Sequence, residues 1–167
     1  MEYTFRLATS ADADAIWEIL QDAIARRKAD GSRQWQDGYP NPDVVKTDIE
    51  NHYGYVLTDG ESIAGYCALM INNEPAYAEI DGKWLTDADF VVYHRVAISE
   101  NHLGKGIAKK MLGYIEDFAR DHNIKSIKVD TNFDNAGMLS LLDKFGYVYC
   151  GEVFFRGAAR KAFEKVL

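Results

Sequence analysis

Two cysteines, Cys67 and Cys150, are too few and too far apart for a disulfide framework, and they lack zinc-ligand spacing. They are read as small core residues of strands. No apolar run is long enough to cross a membrane, and no signal-peptide pattern opens the chain. The cytoplasm is therefore the default location. Positive charge is also short: 19 Lys and Arg stand against 26 Asp and Glu, a formal net charge of -7. That balance argues against general nucleic-acid binding and suits a cationic or neutral small partner. No repeat, linker or low-complexity tract divides the sequence. With 47% hydrophobic residues, a chain of 167 residues has material for a real core. A single domain over residues 1–167 is expected.

The stretch that organises the chain is VAISENHLGKGIA, Val96 to Ala108. It reads as a strand running through a polar turn into a helix opened by Gly104 and Gly106. Behind the glycines, Ile107, Met111, Ile115 and Phe118 recur at helical spacing. Glycines let a ligand approach the backbone closely, and the free N–H groups of a helix start attract anions. A mononucleotide loop would need Lys and Ser or Thr after a longer glycine spacing, which is missing. A dinucleotide fingerprint would need a third glycine, but position 109 is Lys.

In chain order, Tyr3–Leu7 is a first strand and Thr9 or Ser10 caps a helix that ends near Asp30–Gly31. The turn-rich loop Gly31–Pro42 follows, exposing Trp35 and Tyr39. These rings either pack the loop onto the core or wall an acceptor pocket. A helix is expected over Pro42–Asn51, with Val44, Val45, Asp48 and Ile49 on its face. Two strands then meet at Asp59–Gly60, a hairpin dipeptide. Asn72–Asp89 reads as an irregular loop or an extra hairpin turning at Asp81–Gly82. Strand Phe90–Ile98 delivers the chain to the glycines. After the long helix come strand Ser126–Thr131, a helix opened by Asp134 or Asn135 and stopped at Gly146, and strands Tyr147–Phe155 and Lys161–Val166. The fold class is mixed α/β.

The segment Asn101-His102-Leu103-Gly104-Lys105-Gly106 resembles the Gln/Arg-x-x-Gly-x-Gly/Ala signature of the Gcn5-related N-acetyltransferase (GNAT) family. Asn101 replaces the usual Gln or Arg. The stretch Asn135 to Tyr147 is similar to that family's second signature, matching at Asn135, Gly146 and the aromatic Tyr147. Met138 stands where Ala is common, and Leu142 where Tyr is usual. The order of elements is also the family's, so the likeness covers essentially the whole chain.

That resemblance implies a GNAT-like acyl-CoA N-acyltransferase fold. Its mixed, mostly antiparallel sheet splays between the fourth and fifth strands, with helices on both faces. It implies acetyl-CoA as cosubstrate, no metal, and direct acetyl transfer to a primary amine in a ternary complex. Backbone groups at Val96, Ala97 and Ile98 would pair with the pantetheine arm. The segment His102, Leu103, Gly104, Lys105, Gly106, Ile107 and Ala108 would hold the pyrophosphate, and Asn135 would hydrogen-bond the pantetheine.

The base position that some members fill with Glu is Val92 here. Strand alternation puts His94 on the same face as Val92, Val96 and Ile98, so His94 is the candidate base. It is weighed against a structural histidine. Tyr149 or Tyr147 would replace the proton donor missing at Leu142. Trp35, Tyr39 and Glu79 are the candidate acceptor contacts, with Asp81 and Asp89 as further carboxylates. The partners implied are acetyl-CoA, an amine acceptor and, as an option, a second copy in a homodimer. A CoA-binding sensor or interaction module that has lost catalysis is the competing reading.

Overall fold

The computed structural model describes residues 2–167; Met1 of the expected domain lies outside them. The elements run β1 (Tyr3–Leu7), α1 (Ala13–Ala29), α2 (Pro42–Glu50), β2 (Gly54–Asp59), β3 (Ser62–Ile71), β4 (Asp81–Gly82), β5 (Phe90–Ile98), α3 (Ile107–Asp121), β6 (Ser126–Thr131), α4 (Ala136–Lys144), β7 (Val148–Phe155) and β8 (Ala158–Val166). One eight-stranded sheet has the order β1-β2-β3-β5-β6-β8-β7-β4. It is mixed: β5 and β6 pair in parallel, whereas β1–β2, β2–β3, β6–β8, β7–β8 and β4–β7 pair antiparallel. The mixed α/β expectation holds. The two-residue β4 shifts the count, so the family's fourth and fifth strands are β5 and β6 here.

The chain divides into two compact units. The first runs to Leu69 and resumes over His94–Ile115. Its core gathers Ile16, Ile19, Leu20 and Ala23 of α1 with Val45, Val56, Tyr66, Ala97 and Trp35. Thr9 opens this helical region through a capping arrangement in which its N–H donates to Asp12 Oδ2 at 2.8 Å. Arg6 reaches the same carboxylate at 2.8 Å and, with Thr9, holds it below the usual carboxylate range. Asn41 caps α2 by accepting from Val44 N–H at 3.1 Å, and Pro42 sits at the first helical position, where no donor is needed.

Helix α3 lies so close to β3 that a side chain at position 65 would make its neighbours shift. A Cβ there would sit 2.6 Å from Met111 Sδ and 3.2 Å from Ile107 Cγ2. Gly65→Val is expected to cost about 1–3 kcal/mol by overpacking. A thermal melt unchanged within a degree would show that the helix gives way freely.

The second unit comprises Met70–Tyr93 and Glu116–Leu167. Strand β6 is buried throughout and pairs along its length with β8. Fully buried Glu164 ties down the segment before β5, accepting from Leu85 N–H (2.8 Å), Thr86 Oγ1 (2.6 Å) and Ser126 Oγ (2.7 Å). Asp81–Gly82 is not the tip of a hairpin, as its sequence suggested, but a short strand against β7. Its backbone comes so near Gly151 that a Cβ on either glycine would fall within 2.3 Å of a carbonyl oxygen. Two facing glycines, far apart in sequence, decide that contact, and no local pattern announces it.

Candidate active site

The glycine turn has the conformation an anion cradle requires. Gly104 and Gly106 adopt φ of 75° and 73°, and a Cβ at either position would meet no protein atom within 4 Å. Both are exposed, so the backbone faces open space. The first α-helical bond made by this turn is Lys110 N–H to Gly106 O at 3.1 Å. The N–H groups of Ile107, Ala108 and Lys109 therefore precede any intrahelical acceptor. No acidic residue occupies the first turn of α3, and Lys105, Lys109 and Lys110 are exposed there. Open glycines, a helix N-terminus and positive charge fit a pyrophosphate. Ile107 is buried and anchors the helix, while Leu103 is 47% exposed.

His102 differs from its neighbours. Its ring is buried, with Nε2 3.5 Å from Asp59 Oδ2, so its accessible contribution to a cofactor is backbone rather than imidazole. It also lines a cavity of about 560 Å³ together with Glu18, Asp22, Glu61 and Glu100, a setting that repels phosphate.

Strand β5 does not keep the alternation that put His94 in phase with Val96. Arg95 has φ of 57°, the left-handed region, in the middle of the strand. Such a residue rotates the chain beyond it. His94 and Arg95 are half-buried. The parallel ladder with β6 covers Phe90–Val92 against Ser126–Lys128, the beginning of the strand only. Further along, Ile98 O accepts from Arg26 Nη2 at 2.8 Å, and Ser99 N–H donates to Ala64 O at 2.9 Å.

The side chain of Arg95 enters a buried network that the sequence reading missed. Its Nε and Nη2 donate to Asp48 Oδ2 and Oδ1 at 2.9 and 2.7 Å, and Tyr66 donates to Oδ2 at 2.6 Å. Nη1 meets the Tyr39 hydroxyl. The Arg95 and Asp48 side chains are 10% and 4% exposed. Burial alone would lower the guanidinium's pKa, but Tyr39 and Asp48 raise it, so Arg95 is charged. Burial and then Asp48 push the Tyr66 phenol up. The available signals were an arginine inside the apolar run VVYHRVAI and an aspartate on the inward face of α2.

The loop between α1 and α2 is likewise less exposed than its composition suggests. Trp35 is buried, at φ 64°, with the Arg27 guanidinium 3.9 Å above its ring. Burial, then Arg26, lowers Arg27 to about 10. Trp35 thus packs the loop onto the core, and one side of it lines a shallow cavity of about 540 Å³ with Trp17, Ile24 and Pro40. Tyr39 is half-buried through its contact with Arg95.

The remaining candidates belong to the second unit. Asn135 caps α4, its Oδ1 accepting from Met138 N–H at 3.2 Å. Leu142 is fully buried, so a tyrosine at that position would have to displace core. Tyr147 is buried, with its hydroxyl 3.2 Å from that of Tyr93, and burial pushes its phenol up. Tyr149 is 53% exposed, its ring edge-on to Phe163. Glu79 is exposed, and Asp89 accepts from Asn72 Nδ2 at 3.0 Å. Burial raises both cysteine thiols above their ordinary range, so neither is a ready nucleophile. Among the described residues no cluster of His, Cys, Asp and Glu has metal-binding geometry, and no helix is long and apolar enough to cross a membrane.

The model of the acetyltransferase (GNAT) family matches residues 14–147, a span that includes the glycine turn and α4. The chain belongs to that family. It is an acetyltransferase, and its family uses acetyl-CoA. Among curated relatives it is similar to the L-amino acid N-acyltransferase MnaT of Escherichia coli (strain K12). The two are 26% identical over 155 residues, 90% of this chain and 82% of that protein. A GNAT-family acetyltransferase from Streptococcus agalactiae superposes with a TM-score of 0.89 at 35% identity, covering 99% of this chain and 95% of that one. YncA from Salmonella typhimurium, solved with its cofactor acetyl-CoA, shares the fold at a TM-score of 0.66 and 19% identity, over 99% and 92% of the two chains.

Proposed function

We propose that this acetyltransferase moves the acetyl group of acetyl-CoA directly to a primary amine of a small molecule or peptide, working as one catalytic domain. The observation that carries the reading is the pair of open, left-handed glycines at the start of α3, immediately beyond the kinked strand β5. In this reading the amides of Leu103–Ala108 hold the pyrophosphate and the backbone of Val96–Ile98 lines the pantetheine arm. Acetyl-CoA, when bound, supplies an activated acyl group and a thiolate leaving group. An amide of β5 donates to the oxygen that gains charge as the amine attacks. The raised thiols of Cys67 and Cys150 support direct transfer over a cysteine acyl-enzyme. The name of the MnaT relative makes amino acids the first acceptors to try. Polyamines, aminoglycosides and peptide N-termini follow, since the net charge of -7 suits cationic acceptors.

An alkylammonium acceptor with a pKa of about 10.4 must lose a proton before it attacks. His94, half-buried on β5, is the proposed base, and Tyr149, the exposed tyrosine of β7, the proposed donor to the thiolate. His94→Gln is expected to lower kcat by roughly 10²-fold. The loss should shrink as pH rises, because the acceptor then deprotonates unaided. A pH–rate profile with the best acceptor checks this, and an unchanged acidic limb would transfer the role to Glu79, Asp89 or a water chain. The buried Leu142 in place of the family's tyrosine favours a second reading, a CoA-binding sensor without catalysis. CoA release with any amine decides between the two.

A further inference from the structure

Arg95 is a left-handed, non-glycine residue in the middle of a strand, a conformation that persists only where its surroundings over-determine it. The surroundings are unusually explicit. The guanidinium uses Nε and Nη2 in a fork on Asp48 of α2, and turns Nη1 to Tyr39 of the Gly31–Pro42 loop. Asp48 also accepts from Tyr66 of β3, through Oδ2. A planar group held at both ends leaves its own Cα little freedom to turn. A buried ion pair is weak evidence for stability, since apolar residues of similar volume often do as well. What this one supplies is geometry.

Beyond Arg95, Val96–Ile98 runs beside β3 between two fixed points. One is the clamped residue; the other is the pair of bonds from Arg26 Nη2 to Ile98 O and from Ser99 N–H to Ala64 O. We propose that Arg95 is a positioning residue for acetyl transfer, clamping Asp48 and Tyr39 so that the kinked backbone of β5 presents its Val96–Ile98 amides to the thioester carbonyl and the acceptor loop stays registered on the same strand. This rests on the reading that acetyl-CoA lies along those amides. A donor to a developing oxyanion must sit within a few tenths of an ångström of its place, and a displacement of about 1 Å costs about 10²-fold.

The test compares Arg95→Lys with Tyr39→Phe. Lysine keeps the charge opposite Asp48 but cannot reproduce the fork or reach Tyr39 simultaneously. Phenylalanine keeps the ion pair and removes only the loop's hold. For Arg95→Lys, kcat per folded molecule is expected to fall by about 10- to 100-fold. Its calorimetric affinity for acetyl-CoA should stay within about threefold, because the glycine turn is untouched. Amide hydrogen exchange at Val96–Ile98 in the acetyl-CoA complex should accelerate by about tenfold or more. Tyr39→Phe should raise KM for the acceptor while leaving that exchange as in the wild type.

A purely structural role would lower Tm alone. An Arg95→Lys enzyme with wild-type kcat, or with unchanged exchange at Val96–Ile98, overturns the proposal. If the wild-type protein transfers acetyl to no amine, the catalytic reading fails instead, and the exchange measurement still judges the clamp. Should Arg95→Lys not fold, unchanged KM and kcat in Tyr39→Phe would remove the link from the loop to the strand and overturn the proposal as stated.

Discussion

Asp48→Ala is expected to lower the unfolding free energy by about 3–5 kcal/mol, the usual consequence of removing one partner from a buried ion pair. The Arg95 guanidinium would remain in place, 10% exposed, with two of its donors deprived of the carboxylate. Tyr66 would lose its acceptor at 2.6 Å in the same step. At this chain length each kcal/mol moves Tm by roughly 2–4 °C, so a fall of about 10 °C is expected. Denaturant titration of the wild type and of Asp48→Ala measures it directly. The double variant Asp48→Leu/Arg95→Met should recover much of the loss, because it leaves no buried charge. A cost below about 1 kcal/mol for Asp48→Ala would mean that solvent reaches the pair and that the network is not dry.

Gly106→Val should abolish acetyl-CoA binding while leaving a folded protein. Space does not oppose the substitution, since a Cβ at this position meets no protein atom within 4 Å. The φ of 73° does oppose it, at about 1–2 kcal/mol, which lowers the melting temperature of the free protein only modestly. The larger effect falls on the ligand. A valine side chain would stand in the open ground that the pyrophosphate needs in order to reach the amides. Acetyl-CoA at about 100 times its Kd stabilises a protein by about 2.7 kcal/mol, so the wild type should show a clear rise in Tm, and the variant none. An equal rise in both proteins would place the cofactor elsewhere.

Both experiments concern features that differ in how far the sequence announces them. The glycine turn is local: strand, two glycines and an apolar helical face lie within about one element of each other, and backbone sterics alone limit what they can form. The same holds for the Asp59–Gly60 hairpin, the Asn135 cap and the stop at Gly146, each a short-range preference of one or two residues. The family resemblance rests on the glycine turn, the Asn135 to Tyr147 stretch and the order of elements, and the match over residues 14–147 agrees with it. Tyr147, one of the two candidate proton donors, is buried with its hydroxyl against that of Tyr93, which the local sequence does not reveal.

Other features depend on partners that no local rule links. Asp48 and Arg95 are 47 positions apart, and whether each charge points inward or to water depends on packing, not on periodicity. His94 illustrates the consequence. Counting by twos along β5 put it in phase with Val96, but the left-handed residue between them breaks that count. Trp35, placed in a loop of turn formers, is buried because Arg27 and the α1 face cover it. The Asp81–Gly82 pair forms a strand rather than a turn because Gly151 lets two backbones approach closely. The sequence by itself determined the order of elements apart from β4, the glycine turn and the family, since short-range backbone preferences and apolar periods carry that information. Only the tertiary structure decided which charges are buried, where β5 kinks and which candidate side chains face the core, because those outcomes are set by contacts between residues far apart in the chain.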